Sequence, residues 1–417
     1  MSLPSLWQEQ RPSRGFDRLE AAIRSDVCVI GAGVTGAACA WRLLEHGLSV
    51  AIVDAREAAA GASGRNGGFA VTGTGLEYPG LAQQLGRPEA IRLHHATEAA
   101  LDAMIALAGE LRVPDTIRRT GSLWLADERE RDDVLEAVRA ASAAGISCRL
   151  APELIPRPMR GSHVVAALFP LDAELMPAAW VRALVEAVAD RGAEVFERSP
   201  VDDVVADGDG WSVRAGLGTV RAQAVVVACD GLIPRLLPEL EHVIYPVRGQ
   251  VAVTEPLAQV PLTHPTHSQS GFMYYRPTAD GRVVVGGGRL EQLEHEYTDD
   301  ERTTAAVQAQ LDRFLREHLG LGRARVTHRW AGIMGFSADL LPVVGGLPGR
   351  SGLYVAGGYS GVGNVLGHHC GGIVADLIAT GGHRDAAAFD VARFGSGRAA
   401  VQREKAASRE LARLIDG

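Results

Sequence analysis

A glycine-rich turn near the start of the chain has the residue types and spacing needed to bind a dinucleotide. The sequence GAGVTG at residues 31–36 follows a short apolar stretch and precedes a helical pattern. Its first glycine permits a tight turn, its second lets a pyrophosphate approach the backbone, and its third lets the helix pack on the strand. Asp54 follows at the distance typical of an acid that accepts a hydrogen bond from ribose. The simpler alternative is a tight turn that binds no nucleotide.

A second glycine-rich stretch distinguishes between the possible dinucleotides. Residues 61–75 read GASGRNGGFAVTGTG, and no Gly-Lys-Ser/Thr sequence closes them as in a Walker phosphate loop. A nicotinamide dehydrogenase does not need such a cluster, whereas the flat ring of a flavin must lie against backbone without side chains. A third cluster at residues 357–363 lies between a strand and a helix, whose N-terminus could face the pyrimidine end of the flavin ring. These clusters together favour FAD.

The order of apolar segments predicts the elements that hold these clusters. A strand at residues 27–30, a helix and a strand at residues 48–53 form a βαβ unit, which requires a parallel sheet. Further apolar strands at residues 224–228 and 352–356 also precede glycine-containing turns, whereas residues 245–288 alternate as in an antiparallel sheet. We therefore predict an α/β fold (α+β overall), with a discontinuous Rossmann-like FAD-binding domain and an inserted, mostly antiparallel substrate domain.

The predicted domain boundaries follow from this layout. The FAD-binding domain comprises residues 25–116, 158–243 and 326–395. The substrate domain comprises residues 117–157 and 244–325, between an N-terminal extension at residues 1–24 and a C-terminal helix at residues 396–417. Within the extension, Trp7 and Phe16 are possible anchors against the folded body.

Composition argues against several other kinds of protein. The chain has 417 residues and a net charge of -8, which argues against general affinity for nucleic acid or anionic membranes. Its five cysteines stand singly, as in a reduced cytoplasmic protein, and no apolar run is long enough for a membrane span. Neither the cysteines nor the paired histidines have the spacing of a metal site. We therefore expect a cytoplasmic protein without a metal, and the sequence does not indicate its oligomeric state.

Six segments of the chain resemble the FAD-dependent D-amino-acid oxidase superfamily, which includes glycine oxidase and sarcosine oxidase. In chain order they are VIGAGVTGAACA, GASGRNGG, YPVRGQ, YYRPTADGRVVVGGG, WAGIMGFSADLLPVVG and YVAGGYSGVG. The likeness extends from residue 26 to residue 380. The SGRNGG and YYRPTADGR elements are similar to the branch that contains gamma-glutamylputrescine oxidoreductase.

This resemblance implies a cofactor site built from several parts of the chain. The residues expected to bind FAD are Gly31, Gly33, Val34, Thr35, Gly36, Asp54, Ala55, Arg56, Ser63, Arg65, Asn66, Gly67, Gly68, Val201, Cys229, Gly231, Gly332, Gly361, Val362, Gly363 and Asn364. Arg65 is expected to pair with phosphate or to stabilise reduced flavin, and the alternative is a surface ion pair. No cysteine lies near WAGIMG and no histidine between residues 55 and 70, so we expect non-covalent FAD.

The departures from the family concern the substrate. Met334 stands where many similar amino-acid oxidases carry an arginine that binds the substrate carboxylate, a bidentate contact that methionine cannot make. The sarcosine-oxidase type uses two lysines, but here Val365 and the valines at residues 283–285 stand in their places, and Lys405 is the only lysine. A simple α-amino acid is therefore less expected than an amine that carries its carboxylate elsewhere, or none.

The residues expected at the substrate are Tyr274, Arg276, Met334 and Tyr359. An aromatic face suits an amine that arrives as a cation, although ordinary packing is the alternative for each tyrosine. Arg276 could bind a distal carboxylate, such as that of a gamma-glutamyl group.

The predicted reaction is the oxidation of a primary or secondary amine to an imine by hydride transfer to flavin, followed by hydrolysis. The electrons then pass to O2 or to another acceptor. One alternative is a glycine, sarcosine or D-amino-acid oxidase or dehydrogenase. The others are a nicotinamide-dependent dehydrogenase and a non-catalytic flavin-binding subunit.

Overall fold

The computed structural model describes residues 3–395. The predicted helix at residues 396–417 lies outside the described residues. Along the described chain the strands are β1 (Ala22–Ile30), β2 (Val50–Val53), β3 (Phe69–Ala70), β4 (Ile117–Arg119), β5 (Ser122–Ala126), β6 (Arg149–Leu150), β7 (Val165–Phe169), β8 (Ala173–Leu175), β9 (Glu194–Phe196), β10 (Val201–Asp207), β11 (Gly210–Ala215), β12 (Gly218–Val227), β13 (Ile244–Thr254), β14 (Thr266–Ser268), β15 (Met273–Pro277), β16 (Val283–Gly287), β17 (Val326–Ser337), β18 (Val343–Gly346) and β19 (Leu353–Gly357). The α-helices are α1 (Leu6–Gln10), α2 (Val34–Glu45), α3 (Tyr78–Leu85), α4 (Arg87–Glu110), α5 (Arg131–Ala143), α6 (Pro177–Asp190), α7 (Ile233–Leu236), α8 (Leu293–Glu296), α9 (Ala305–Glu317), α10 (Gly363–Thr380) and α11 (Ala386–Phe389).

The first sheet confirms the predicted parallel arrangement. Strands β9, β2, β1, β12 and β19 lie side by side, and each is parallel to its neighbour. Strand β18 closes one edge in the antiparallel direction, and the β10–β11 hairpin pairs with the N-terminal half of β12. Alternate residues of β1 face opposite sides, so that Val27 and Val29 pack with α2 and α10, whereas Cys28 and Ile30 pack with the hairpin side.

The second sheet is mostly antiparallel, as predicted. Its order is β17-β13-β16-β15-β14-β5-β7-β6, and only the β14–β5 pair is parallel. Helix α9 covers one face, where the Tyr275 ring packs against Phe314 at 4.8 Å between ring centroids. The side chain of the preceding residue, Tyr274, points to the opposite face of the sheet. A small third sheet consists of β3, β8 and β4, in that order.

The division into domains remains a prediction, and the strand pairing differs from it in three places. Strand β1 begins at Ala22, inside the predicted N-terminal extension. Strands β7 and β17, which the sequence placed within the FAD-binding segments, pair within the second sheet instead. An apolar pattern identifies a strand but does not identify its partner, and this explains the difference.

Helices α2 and α10 pack closely because their contact positions are glycines. A side chain at Gly371 would place its Cβ 2.5 Å from the carbonyl oxygen of Thr35, and one at Gly367 would lie 2.9 Å from the Thr35 hydroxyl. The two helices begin directly after the first and third glycine clusters. Their contact therefore fixes both clusters relative to the first sheet. No helix within residues 3–395 is both long and apolar enough to cross a membrane.

Candidate active site

The first glycine cluster forms a turn that leaves no room for side chains. Gly31 follows β1 with a φ of +116°, and a Cβ there would lie 2.7 Å from the carbonyl oxygen of Ala228. A Cβ at Gly36 would lie only 1.9 Å from the carbonyl oxygen of Gly31. The first and third glycines of GAGVTG are therefore required by the contact between strand, turn and helix, as the motif predicts.

The start of α2 and the end of β2 place polar groups around this turn. The Val34 N–H donates to the Ser63 hydroxyl at 2.9 Å, so that the second glycine cluster contacts the first. The Asp54 carboxylate accepts from the N–H groups of Ala32 at 2.7 Å and Arg56 at 2.8 Å. Burial raises the pKa of Asp54, and these two hydrogen bonds oppose that effect. A carboxylate has about four acceptor positions, so Asp54 retains capacity for ribose hydroxyls.

A first cavity of about 270 Å³ lies against this turn. Eight of the residues predicted to bind FAD line it: Gly31, Gly33, Asp54, Ala55, Arg56, Ser63, Val201 and Cys229. Sequence reasoning missed three charged residues of the lining, Asp230, Arg235 and Glu301. Glu301 pairs with Arg56 at 2.7 Å, and no local motif signals this long-range contact. The glycine turn, the helix N-terminus and Asp54 fit the adenosine diphosphate part of FAD.

The second glycine cluster is held from outside by the N-terminal segment. The Ser5 hydroxyl donates to the carbonyl of Gly64 at 2.6 Å, and the Trp7 indole donates to the carbonyl of Asn66 at 2.8 Å. Trp7 is buried, as predicted for an anchor, and Phe16 is partly buried. On the other side, the Trp330 indole donates to the carbonyl of Arg65 at 2.7 Å. The loop backbone is thus fixed by side chains far away in sequence.

The second and third glycine clusters are joined by a pair of asparagines. The Asn66 amide donates to the Asn364 side-chain oxygen at 3.0 Å, and the Asn364 amide donates to the Asn66 oxygen at 3.1 Å. Asn364 also donates to the carbonyl of Phe69 at 2.7 Å. Asn66 in turn accepts from the Gly68 N–H at 2.8 Å. We call this reciprocal pair the asparagine clamp.

Several glycines of the second cluster are explained by neighbouring protein atoms. A Cβ at Gly67 would lie 2.8 Å from the Tyr274 ring. A Cβ at Gly68, where φ is +79°, would lie 2.5 Å from the Arg276 guanidinium. The sequence attributed these glycines to close approach of the flavin alone. The structure corrects this expectation, because β15 also presses against the loop.

Arg65 has several contacts with the protein. Its side chain is buried, and its guanidinium donates to the carbonyls of Ala331 at 2.6 Å and Leu3 at 2.8 Å, and to the Gln8 side chain at 3.2 Å. This burial argues against a surface ion pair, and a role at phosphate or at reduced flavin stays a prediction. Burial lowers its pKa. Arg65 ties the glycine loop to the N-terminal segment and to β17.

A second cavity of about 570 Å³ adjoins the first, and Ala62 lines both. It runs along the two glycine loops and the open face of the second sheet. The predicted residues that line it are Arg65, Asn66, Gly67, Tyr274, Gly332, Met334, Gly361, Val362 and Asn364. The predicted residues Val34, Thr35, Gly36, Gly68, Gly231 and Gly363 line neither cavity and belong to the packing behind them. The second cavity thus has the position expected for the flavin ring and a substrate.

Tyr274 and Met334 lie together in this cavity. The Tyr274 ring meets Phe69 edge to face at 5.9 Å and lies against the backbone of Gly67 and Gly286. The Met334 methyl group lies 3.0 Å from the point where a Cβ on Gly249 would stand. Burial raises the pKa of Tyr274, so its hydroxyl stays neutral at physiological pH.

The other two predicted substrate residues lie elsewhere. Arg276 is buried outside the cavity lining, where its guanidinium donates to the carbonyls of Gly67 and Leu175 and to Glu174 at 3.0 Å. It cannot also bind a distal carboxylate. The Tyr359 hydroxyl contacts the Thr35 hydroxyl at 2.8 Å, inside the contact between α2 and α10. Neither residue lines a cavity in this structure, and their contacts hold the site together from behind.

Sequence reasoning missed the charged residues of the second cavity. Arg289 follows β16, where Gly287 and Gly288 have φ values of +102° and +66° and turn the chain. Asp172 and Glu77 line the same cavity. The triple glycine before Arg289 was the available signal, because positive φ angles favour a sharp turn at a strand end.

Comparison with known proteins agrees with this geometry. The family model described as FAD dependent oxidoreductase (DAO) matches residues 26–377. The chain belongs to this family. FAD is therefore its cofactor, and the nicotinamide alternative is excluded.

Two relatives and one solved structure illustrate the likeness within the family. The chain is 28% identical to the glycine oxidase of Geobacillus kaustophilus over 389 residues, which cover 89% of this chain and 96% of that protein. It is 27% identical to the gamma-glutamylputrescine oxidoreductase of Escherichia coli over 394 residues, covering 90% and 87% of the two chains. The crystal structure of the Geobacillus kaustophilus glycine oxidase superimposes with a TM-score of 0.75 at 25% identity, covering 90% of this chain and 99% of that one.

Proposed function

We propose that this FAD-dependent oxidoreductase oxidises a primary or secondary amine to an imine, which water then hydrolyses. The observation that supports this most is the second cavity, where an aromatic and apolar wall faces both flavin-side glycine loops. The names of the relatives point the same way, because glycine and gamma-glutamylputrescine both contain an amine beside a C–H bond. The substrate of either relative is a candidate, and the wall residues decide between them.

The chain's own residues would bind and orient the amine. FAD, when bound, supplies the acceptor for a hydride from the carbon beside the nitrogen. Tyr274, Met334 and Phe336 form an apolar wall that excludes water and holds that carbon in place. The neutral Tyr274 hydroxyl can donate a hydrogen bond to the substrate but does not remove its proton.

Met334 favours an amine without a carboxylate clamp at this position. The thioether can offer no charged hydrogen bond, whereas an arginine there would bind an α-carboxylate bidentately. A gamma-glutamylputrescine-like amine fits this wall better than glycine, sarcosine or a D-amino acid. A non-catalytic flavin-binding subunit is the candidate of another class, and the turnover test below separates it from an enzyme.

The decisive experiment is an anaerobic titration of the purified yellow protein, followed by its flavin absorbance. The panel is gamma-glutamylputrescine, putrescine, sarcosine, glycine and D-alanine. We expect the polyamine derivatives to bleach the flavin at concentrations at least about tenfold lower than the amino acids need. Preferential bleaching by glycine or D-alanine would refute the interpretation of Met334, and no bleaching by any amine would favour the non-catalytic subunit.

Two further measurements complete the assignment. The rate at which colour returns on admitting air, compared with the rate on adding a quinone, identifies O2 or another acceptor. We also propose that FAD is bound non-covalently. Acid precipitation of the protein should then leave all the flavin in the supernatant, and yellow precipitate would contradict this.

A further inference from the structure

The second cavity contains a cation that the protein itself does not neutralise. Arg289 lines the cavity, and its guanidinium lies over the rings of Phe272 at 4.8 Å and Phe336 at 5.7 Å. Within residues 3–395 no carboxylate, carbonyl or hydroxyl lies within hydrogen-bonding or ion-pairing distance of this side chain. Of the other arginines described above, Arg65 and Arg276 are both fully engaged with protein acceptors.

The nearest carboxylate is already committed elsewhere. Glu296 accepts from the Arg248 guanidinium through both of its oxygens, each at 2.8 Å, and from the Gln250 amide at 3.0 Å. Arg248 and Glu296 are both buried, so this pair is a closed unit. The field of Glu296 reaches Arg289, but burial still lowers the pKa of Arg289. The charge on Arg289 is therefore left for a ligand.

A cation confined in this way is costly unless something compensates it. Arg289 is partly buried, and the faces of two phenylalanines compensate only in part for the hydration that its guanidinium has lost. The two rings also immobilise the side chain, which reduces the entropy lost when an anion binds. A planar guanidinium held in this way matches a planar carboxylate.

The remaining charges of the cavity favour a single negative charge on the ligand. His94 and His267 also line it, but burial lowers the pKa of both, that of His267 to about 4. Both imidazoles are therefore neutral at physiological pH. Glu77 and Asp172 add only acidic groups to the lining, and Arg65 donates to protein carbonyls. The cavity therefore offers the charge of Arg289 to a ligand, which matches a carboxylate better than a phosphate dianion.

We propose that Arg289 binds a carboxylate of the substrate, so that the amine oxidised here is a carboxylate-bearing amine. That the bound carboxylate belongs to a substrate rests on the proposed function. The anion site itself is inferred only from the surroundings of Arg289. The carboxylate is then bound in the turn that follows β16 and not, as in similar oxidases, by an arginine on β17 at the position of Met334.

The test compares a carboxylate with its neutral isostere by isothermal titration calorimetry of the FAD-containing protein. The probes are hexanoate and hexanamide, which have the same length and contain no amine to oxidise. For the wild type we expect hexanoate to bind at least about tenfold more tightly, and its affinity should fall as salt increases. Arg289→Met should lose about 10- to 100-fold in hexanoate affinity and stay within about twofold for hexanamide. Arg289→Lys keeps the positive charge but lacks the planar guanidinium, so its hexanoate affinity should lie between those of the wild type and Arg289→Met.

A matched control and clear contrary outcomes accompany this test. Arg316 on α9 is exposed and pairs only with its neighbour Glu317, so Arg316→Met should leave both affinities unchanged. FAD content and melting temperature of each variant show whether it is folded. Equal hexanoate affinity in wild type and a folded Arg289→Met, or no preference for hexanoate in the wild type, would overturn the proposal. Failure of every amine to bleach the flavin, with hexanoate binding intact, would instead overturn only the proposed function.

Discussion

The two cavities differ in how the chain builds them. About half of the lining of the first, twelve of 22 residues, comes from one continuous stretch between Ile30 and Ser63, and the rest comes from residues 200–201, 228–236, 301 and 333. The second cavity is assembled from short pieces of β5, β13, β15, β17 and the two later glycine loops. Local sequence rules therefore govern the first cavity, and long-range contacts govern the second. Variants that disturb one kind of contact and spare the other test this difference.

The largest effect is expected from removing a long-range contact behind the second cavity. Arg276→Met leaves Glu174 and the carbonyls of Gly67 and Leu175 without their buried donor. We expect the free energy of unfolding to fall by about 3–5 kcal/mol, because two buried carbonyls lose their donor and Glu174 loses the buried one of its two arginine partners. Urea denaturation measures this, and FAD should be lost from the protein at the same time.

Arg118 provides the control for this prediction. It shares the Glu174 partner, but half of its side chain is exposed to solvent. Arg118→Met should therefore cost about 1 kcal/mol or less. Equal losses of unfolding free energy in the two variants would mean that the contribution of Arg276 to stability does not depend on its burial behind the second cavity.

The next largest effect concerns the local turn of the first cavity. In Gly36→Ala the added Cβ would meet the carbonyl oxygen of Gly31, and rotation of a side chain cannot relieve a contact with backbone. We expect a loss of about 2–3 kcal/mol in unfolding free energy and a protein that purifies without colour. Gly372 is also inside a helix, but a Cβ there meets nothing within 4 Å. Gly372→Ala should raise stability by about 0.5–1 kcal/mol and keep FAD, and a yellow Gly36→Ala would contradict the account of the turn.

The same difference explains what the sequence could predict. Gly36 and Asp54 lie where the motif places them, because the Cβ position of Gly36 faces Gly31 and the Asp54 carboxylate accepts from Ala32 and Arg56, all close in the chain. Arg276 and Tyr359 were chosen for their residue types in family motifs, yet neither lines the cavity. Arg276 shares a face of β15 with Tyr274, but the loop at Gly67 and Gly68 covers it, and a single sequence does not contain that long-range contact. Arg289 was missed for the same reason.

The carboxyl of Asp172, at the other end of the second cavity, gives a pH-dependent prediction. Burial raises its pKa to about 6, although the Ser122 hydroxyl and the N–H and hydroxyl of Thr72 donate to it. Between about pH 4 and pH 6 the folded protein therefore holds a proton that the unfolded chain has released, so stability falls as pH rises through this window. Relative to Asp172→Asn, the wild type should lose about 2 kcal/mol of unfolding free energy there.

Denaturation midpoints at several pH values measure this trend. Asp102 is mostly exposed and pairs with Arg119, and Asp102→Asn should follow the wild-type profile. A wild type that gains stability over the same window, relative to Asp172→Asn, would show that the three donors outweigh burial.

The smallest effect should come from the asparagine clamp, which joins two long-range loops of the second cavity by neutral hydrogen bonds. Asn66→Ala and Asn364→Ala each remove the reciprocal pair at 3.0 and 3.1 Å. Asn66→Ala also removes contacts with the carbonyls of Ala62 and Ser63 and with the Gly68 N–H, and Asn364→Ala removes the contact with the carbonyl of Phe69. Either single substitution already breaks the reciprocal pair. The loss of FAD affinity in the double variant should therefore be smaller than the sum of the two single losses. We expect a coupling free energy of about 1 kcal/mol, or roughly fivefold in the FAD dissociation constant, from titration of the four apoproteins. Purely additive losses would mean that the surrounding sheet positions each loop independently, and that the asparagine clamp does not couple them.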